Sequence, residues 1–217
     1  MNQLYLIILI CLIPWCTRAQ IDSTFNLSQA VGYKMELEQQ YSETKDVNVA
    51  NELILLYKKI TANHHFTTDH YTLALCRMLA EVHRYDEAIV LSDSLPEDKL
   101  LFKERLCLMK ASYLNDTASF SLHISEILNY LDDFTLKHTE AEDSLMRISF
   151  DSGFSSEGIH ILLMFQLKYC YLSVANGLEV TCQQLIDNAY KKGWDIDNLN
   201  WLLEYIRNFD YMSLTWW

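Results

Sequence analysis

Three groups of side chains in this sequence have the types and spacing that chemistry requires. The first is His64, His65, Asp69 and His70, in the stretch HHFTTDH. Imidazoles and a carboxylate gathered in one short segment can bind a transition metal. Metal centres, however, draw their ligands from more than one segment in fixed geometry. A polar connection between two helices uses the same residues, so no metal is expected here. The second group is the acids Glu140, Glu142 and Asp143. A pair such as Glu140 and Asp143, or Glu142 and Asp143, can divide general acid and general base work only in a pocket that desolvates one of them. On a weakly apolar helix such acids face solvent. The third group is Cys76, Cys107, Cys170 and Cys182, with separations of 31, 63 and 12 residues that match no zinc pattern. There is no Gly-x-Ser-x-Gly elbow, no His-Glu-x-x-His and no glycine-rich phosphate loop. These residues point away from an enzyme, and no cofactor is implied.

The elements that would position such groups are helices. Of 217 residues, five are glycine and two are proline, while half are hydrophobic. Turn-rich β architecture needs more glycine and proline than this. Apolar residues recur at helical spacing in Leu27–Tyr41, where Val31, Met35 and Leu37 mark the stripe, and in Val47–Ile60 and Tyr71–Val82. A fourth helix begins at Asp86, followed by Lys99–Leu114, Ser119–Leu131, Thr139–Phe150, Ile159–Val174, Val180–Lys191 and Asn198–Phe209. That makes about ten helices and no strand. Ile159–Val174 is almost wholly apolar and predicts a central, buried helix. The formal charge of −12 repels phosphate backbones, which excludes nucleic acid as a natural partner.

The stretch EVHRYDEAIVLSDSLPED, Glu81 to Asp98, reads as the hinge of a helical hairpin. Leu75, Cys76 and Leu79 precede it, Tyr85 sits in the turn, and Ala88 and Leu95 follow. Ala111, Leu114, Phe120 and Ile124 repeat this pattern 35 residues later, although His123 stands where a small residue is expected. Leu37, Tyr41, Ala50, Ile54 and Tyr57 share the spacing, as do Cys170, Gly177, Cys182, Ile186 and Ala189. These positions resemble the tetratricopeptide repeat family over residues 28–131 and 159–192. The resemblance implies an all-α fold, a short α-solenoid of tetratricopeptide-like (TPR-like) hairpins forming one domain over residues 20–217. It further implies a groove that holds a protein or peptide and does no chemistry, lined in the best unit by His70, Leu73, Arg77 and Glu81. Finally, it places Cys170 and Cys182 at the two small-residue positions of one hairpin, where a disulfide and two small apolar residues are both open readings.

Residues 1–19 read as a signal peptide. The apolar run Leu4–Ile13 is too short to span a bilayer, and Thr17-Arg18-Ala19 offers a cleavage site before Gln20. Lipid on Cys16 is the rival reading, disfavoured by Trp15 before it. No segment of the mature chain is expected to cross a membrane. Export to a bacterial periplasm or cell surface follows from this address. An acidic inhibitor or immunity-type protein, and a glycan-binding accessory protein, are the alternative functions that charge, size and aromatic content allow.

Overall fold

The computed structural model describes residues 27–62, 68–96, 100–148 and 155–212. The signal segment, His64, His65, Trp216 and Trp217 lie outside the described residues. Among the described residues there are nine helices and no strand. The chain divides into two compact units, Met1–Leu91 and Ser92–Trp217.

The first unit holds α1 (Leu27–Thr44), α2 (Val47–Ala62), α3 (Thr68–Glu81) and α4 (Tyr85–Ser92). α1 packs on α2, and α2 on α3. α2 sits between its neighbours because Val49, Ala50, Leu53, Ile54, Tyr57 and Ile60 are all buried, a wide stripe at intervals of three and four residues. α1 buries Ala30 and Leu37, whereas Met35, assigned above to the apolar stripe, is 62% exposed. The chain turns from α3 to α4 through His83, which has a positive φ of 61°. Asp86 and Glu87 then occupy the first turn of α4, where acids favour the helix dipole. Cys76 and Ala88 are both fully buried, and the Cys76 thiol donates to the Ala88 carbonyl at 3.5 Å. These two small residues of the hairpin lie against each other.

The second unit holds α5 (Leu100–Tyr113), α6 (Thr117–Arg147), α7 (Ser156–Asn176), α8 (Leu178–Lys192) and α9 (Ile196–Arg207). α6 corrects the sequence reading: Ser119–Leu131 and the segment that starts at Thr139 belong to one helix of 31 residues ending at Arg147, so the about ten helices expected are nine among the described residues. The stretch between them, Asp132 to His138, contains no glycine or proline to stop the helix. Thr135 is buried there and donates to the Asp132 carbonyl at 3.2 Å, while Thr139 donates to the Thr135 carbonyl at 2.9 Å. The boundaries that do exist carry caps. Asp116 accepts from the Ser119 amide at 3.1 Å, Ser155 from Gly158 at 3.1 Å, and Asp195 from Asp197 and Asn198 at 3.0 and 3.3 Å. Gly193 closes α8 with φ of 65°, a left-handed conformation that glycine adopts without cost.

α6 packs on α5 and α7, and α7 on α8; α9 packs on α7 and α8 and touches α6. One core cluster joins Met146, Phe165, Cys170, Cys182, Leu185, Trp194, Leu202 and Ile206. Another joins Leu101, Leu108, Ile124, Ile127, Leu131, Leu167 and Tyr171. α7 contributes to both, which is why its sequence is apolar all round. By length and composition α7 is also long and apolar enough to cross a membrane, contrary to the expectation above, but half of its most apolar window is buried inside the fold. Its apolarity is that of a central core helix.

Candidate functional site

A cleft of about 250 Å³ opens in the first unit, lined by α1, α2 and α3. Helical spacing decides who lines it. α1 supplies Glu38, Tyr41 and Ser42, with Lys45 just past its end. α2 supplies Leu53 and Tyr57, four residues apart, and α3 supplies Ala74, Arg77, Met78 and Glu81, at the 0, 3, 4 and 7 positions of one face. The floor is apolar and aromatic, and the charges of both signs stand around it.

Two phenol–carboxylate hydrogen bonds tie the walls together. The Tyr57 hydroxyl donates to Glu38, linking α2 to α1. The Tyr41 hydroxyl donates to Glu81 Oε2 at 3.1 Å, linking α1 to α3. Burial, then the bond to Glu38, pushes the Tyr57 phenol well above its ordinary range, so it stays a donor at any physiological pH. Tyr41 is raised by burial and then by the Glu81 charge. Lys45 Nζ stands 4.8 Å from the centre of the Tyr41 ring, a cation–π distance. Lys34 pairs with Glu38 at 3.0 Å. The Ser42 hydroxyl donates to the Gln39 carbonyl at 2.8 Å and is spent on its own helix. What this arrangement can do is hold an extended or helical segment: rings and Met78 offer apolar contact, and Lys45, Arg77, Glu38 and Glu81 offer paired charges.

Of the four groove residues read from the sequence, Arg77 and Glu81 line this cleft. Leu73 is half-buried outside its lining, and His70 is exposed on α3 with its ring edge-on to Tyr71 at 5.5 Å. Glu38, Lys45 and Met78 line the cleft without having been singled out from the sequence, and Tyr41 and Tyr57 were read there only as repeat positions. Met78 shares one face of α3 with Arg77 and Glu81, a signal readable along one helix, whereas Glu38 and Lys45 reach the cleft only through the packing of α1 on its neighbours.

Of the two acid pairs of α6, Glu142 and Asp143 separate, whereas Glu140 and Asp143 line one cleft. Glu142 is buried, and burial raises its carboxyl to about 7, with Lys168 nearby pulling it back. Asp143 lies on another face, in a cleft of about 390 Å³ with Glu140, Ser144, Arg147 and Ile148. Asp143 Oδ1 accepts from Lys192 Nζ at 2.8 Å and Trp194 Nε1 at 3.3 Å. One carboxyl is inside the core and the other is held by a lysine in an open cleft, so the two do not share a reacting centre. Cys170 and Cys182 are buried in one core cluster as free thiols, and burial holds the Cys170 thiol far above its ordinary range. Comparison with known proteins finds no matching family model, no similar curated protein and no similar solved structure.

Proposed function

We propose that this chain is an exported, non-enzymatic interaction scaffold that binds a protein or peptide segment in the cleft between α1, α2 and α3. The observation that carries this reading is the convergence of Tyr41, Tyr57 and Met78 with Glu38, Lys45, Arg77 and Glu81 on one concave surface. Apolar floor gives affinity, and fixed charges of both signs give register to a bound segment. The two phenol–carboxylate bonds hold the walls before the partner arrives, which lowers the entropic cost of binding. The TPR-like spacing of the sequence supports the same use of a helical groove. The apolar run Leu4–Ile13 and Thr17-Arg18-Ala19 support export, with Gln20 as the first residue of the mature chain.

A peptide selection against the purified chain tests the groove. Selected peptides should lose about tenfold or more in affinity on Lys45→Glu and on Glu81→Lys, with the helical circular dichroism of both variants retained. Peptides that bind both variants as they bind the wild type would place recognition elsewhere. Intact mass of protein recovered from a bacterial envelope tests export: a chain beginning at Gln20 is expected, and an acyl chain on Cys16 or an uncleaved start overturns it.

A further inference from the structure

His123 breaks the TPR-like pattern, standing where a small residue is expected, and the structure shows what it meets. On α6 it is followed one turn later by Glu126, and across the hairpin it faces Glu104 of α5. His123 Nδ1 is 2.8 Å from Glu104 Oε2 and 3.4 Å from Glu126 Oε2. One ligating atom from each of the three lies within 4.8 Å of the other two. Glu104 and His123 are half-buried, and Glu126 is exposed and leaves the group open to solvent.

We propose that Glu104, His123 and Glu126 form a binding site for a divalent first-row transition metal, zinc being the cation that the donor set fits. An ion bonded at roughly 2.0–2.2 Å to one imidazole nitrogen and two carboxylate oxygens needs those atoms about 3–3.5 Å apart. His123 meets Glu126 at such a distance and Glu104 slightly closer, and small side-chain rotations bring all three pairs to it. The imidazole selects against calcium and magnesium, which take oxygen alone. With three protein ligands, the fourth position of a tetrahedral ion faces solvent on the Glu126 side.

The electrostatics fit the same occupant. Two carboxylates converge here, and like charges at contact need a proton or a cation between them. The backbone beneath is rigid: Leu101 and Leu108 on α5 and Ile124 and Ile127 on α6 belong to one buried cluster. These leucines and isoleucines flank the ligands in sequence, so the two helix faces are fixed before a metal binds. Cys107 is one turn along α5 from Glu104 and is not among the three.

The test is calorimetric titration of the untagged, chelator-treated full chain with zinc, and separately with magnesium and calcium. Zinc should bind at one site per chain with a raised melting temperature, while magnesium and calcium should not. His123→Ala and Glu104→Gln should each weaken zinc by about tenfold or more. Glu126→Gln, an exposed change that leaves the His123–Glu104 bond in place, should weaken it too and guards against a folding defect. A variant lacking His64, His65 and His70 should bind as the wild type does. Zinc binding that survives His123→Ala and Glu104→Gln, or that disappears only when His64, His65 and His70 are removed, overturns the assignment, as does a wild-type chain that takes no zinc.

Discussion

Glu142 and Ala88 are single residues whose surroundings dictate measurable consequences. The Glu142 carboxyl is raised to about 7 by burial, with Asp143 adding to the rise and Lys168, Lys192 and His138 opposing it. In the unfolded chain it titrates near its ordinary 4.5. The folded protein therefore holds the proton more tightly than the unfolded chain. Below the ordinary range both forms are protonated and the residue costs nothing. As pH rises from there through about 7, the unfolded form ionises first and stability falls, by on the order of 1–3 kcal/mol in full. Glu142→Gln removes this term. The melting temperature of the variant relative to wild type should therefore rise between about pH 5 and 7 and level off above; a difference that does not change with pH would mean that Glu142 is ionised in the fold. At Ala88 the neighbour is the Cys76 thiol, bonded to the Ala88 carbonyl, and neither residue has exposed surface. Ala88→Leu adds a branched side chain where there is no room, and should cost on the order of 1–3 kcal/mol. Urea unfolding measures it, and a wild-type midpoint would show space beside Ala88 that the packing denies.

At the scale of elements, α6 is the instructive case. Polar residues between Leu131 and Thr139 read as a break, yet helix continues because nothing there stops it and α7 packs alongside. Polarity is a statement about solvent on one face, and only glycine, proline or a cap is a statement about the backbone. Leu136 tests continuity cleanly because its side chain is 78% exposed. Leu136→Pro should cost about 3 kcal/mol or more through the lost backbone bond and the ring clash, against little for Leu136→Ala. A proline that is tolerated as well as the alanine would restore the broken-helix reading. Elsewhere the periodicity located helices well, since Leu53, Ile54 and Tyr57, or Leu199, Leu202 and Ile206, announce their own face locally. Gly177 and Gly193 stand at helix ends with positive φ, for the backbone reason just given. The sites were less legible because they arise across helices. Arg77 and Glu81 could be read from one helix, but Glu38 with Tyr57, and Glu104 with His123, meet only when two helices pair. The hairpin α7–α8 carries a further expectation. Cys170 and Cys182 share a core as free thiols, and burial keeps Cys170 protonated and unreactive. Alkylation of the native chain should spare both until it is unfolded; a cross-linked Cys170–Cys182 peptide in a non-reducing map would instead select the disulfide reading.

At the scale of the whole molecule, the acidic charge and the all-helical content were readable from composition. One domain is expected over residues 20–217, because hairpin repeats give no compositional linker between successive units. Within it the structure forms two compact units, Met1–Leu91 and Ser92–Trp217. The second unit owns its core. Leu101, Leu108, Ile127, Leu131 and Tyr171 pack in one cluster, and Phe165, Cys170, Leu185, Leu202 and Ile206 in another, with α7 joining the two. The described buried residues of both clusters lie within this unit. A unit with its own buried core, capped helices and domain-like length has what independent folding requires. A fragment covering residues 92–217 should therefore be soluble, show helical circular dichroism and melt in one cooperative transition. It should also keep the zinc site of α5 and α6 while lacking the cleft of α1, α2 and α3, which separates the two proposed activities in a single preparation. A fragment that stays unfolded while the full chain folds would show that the units are one cooperative domain, as the repeat resemblance implies.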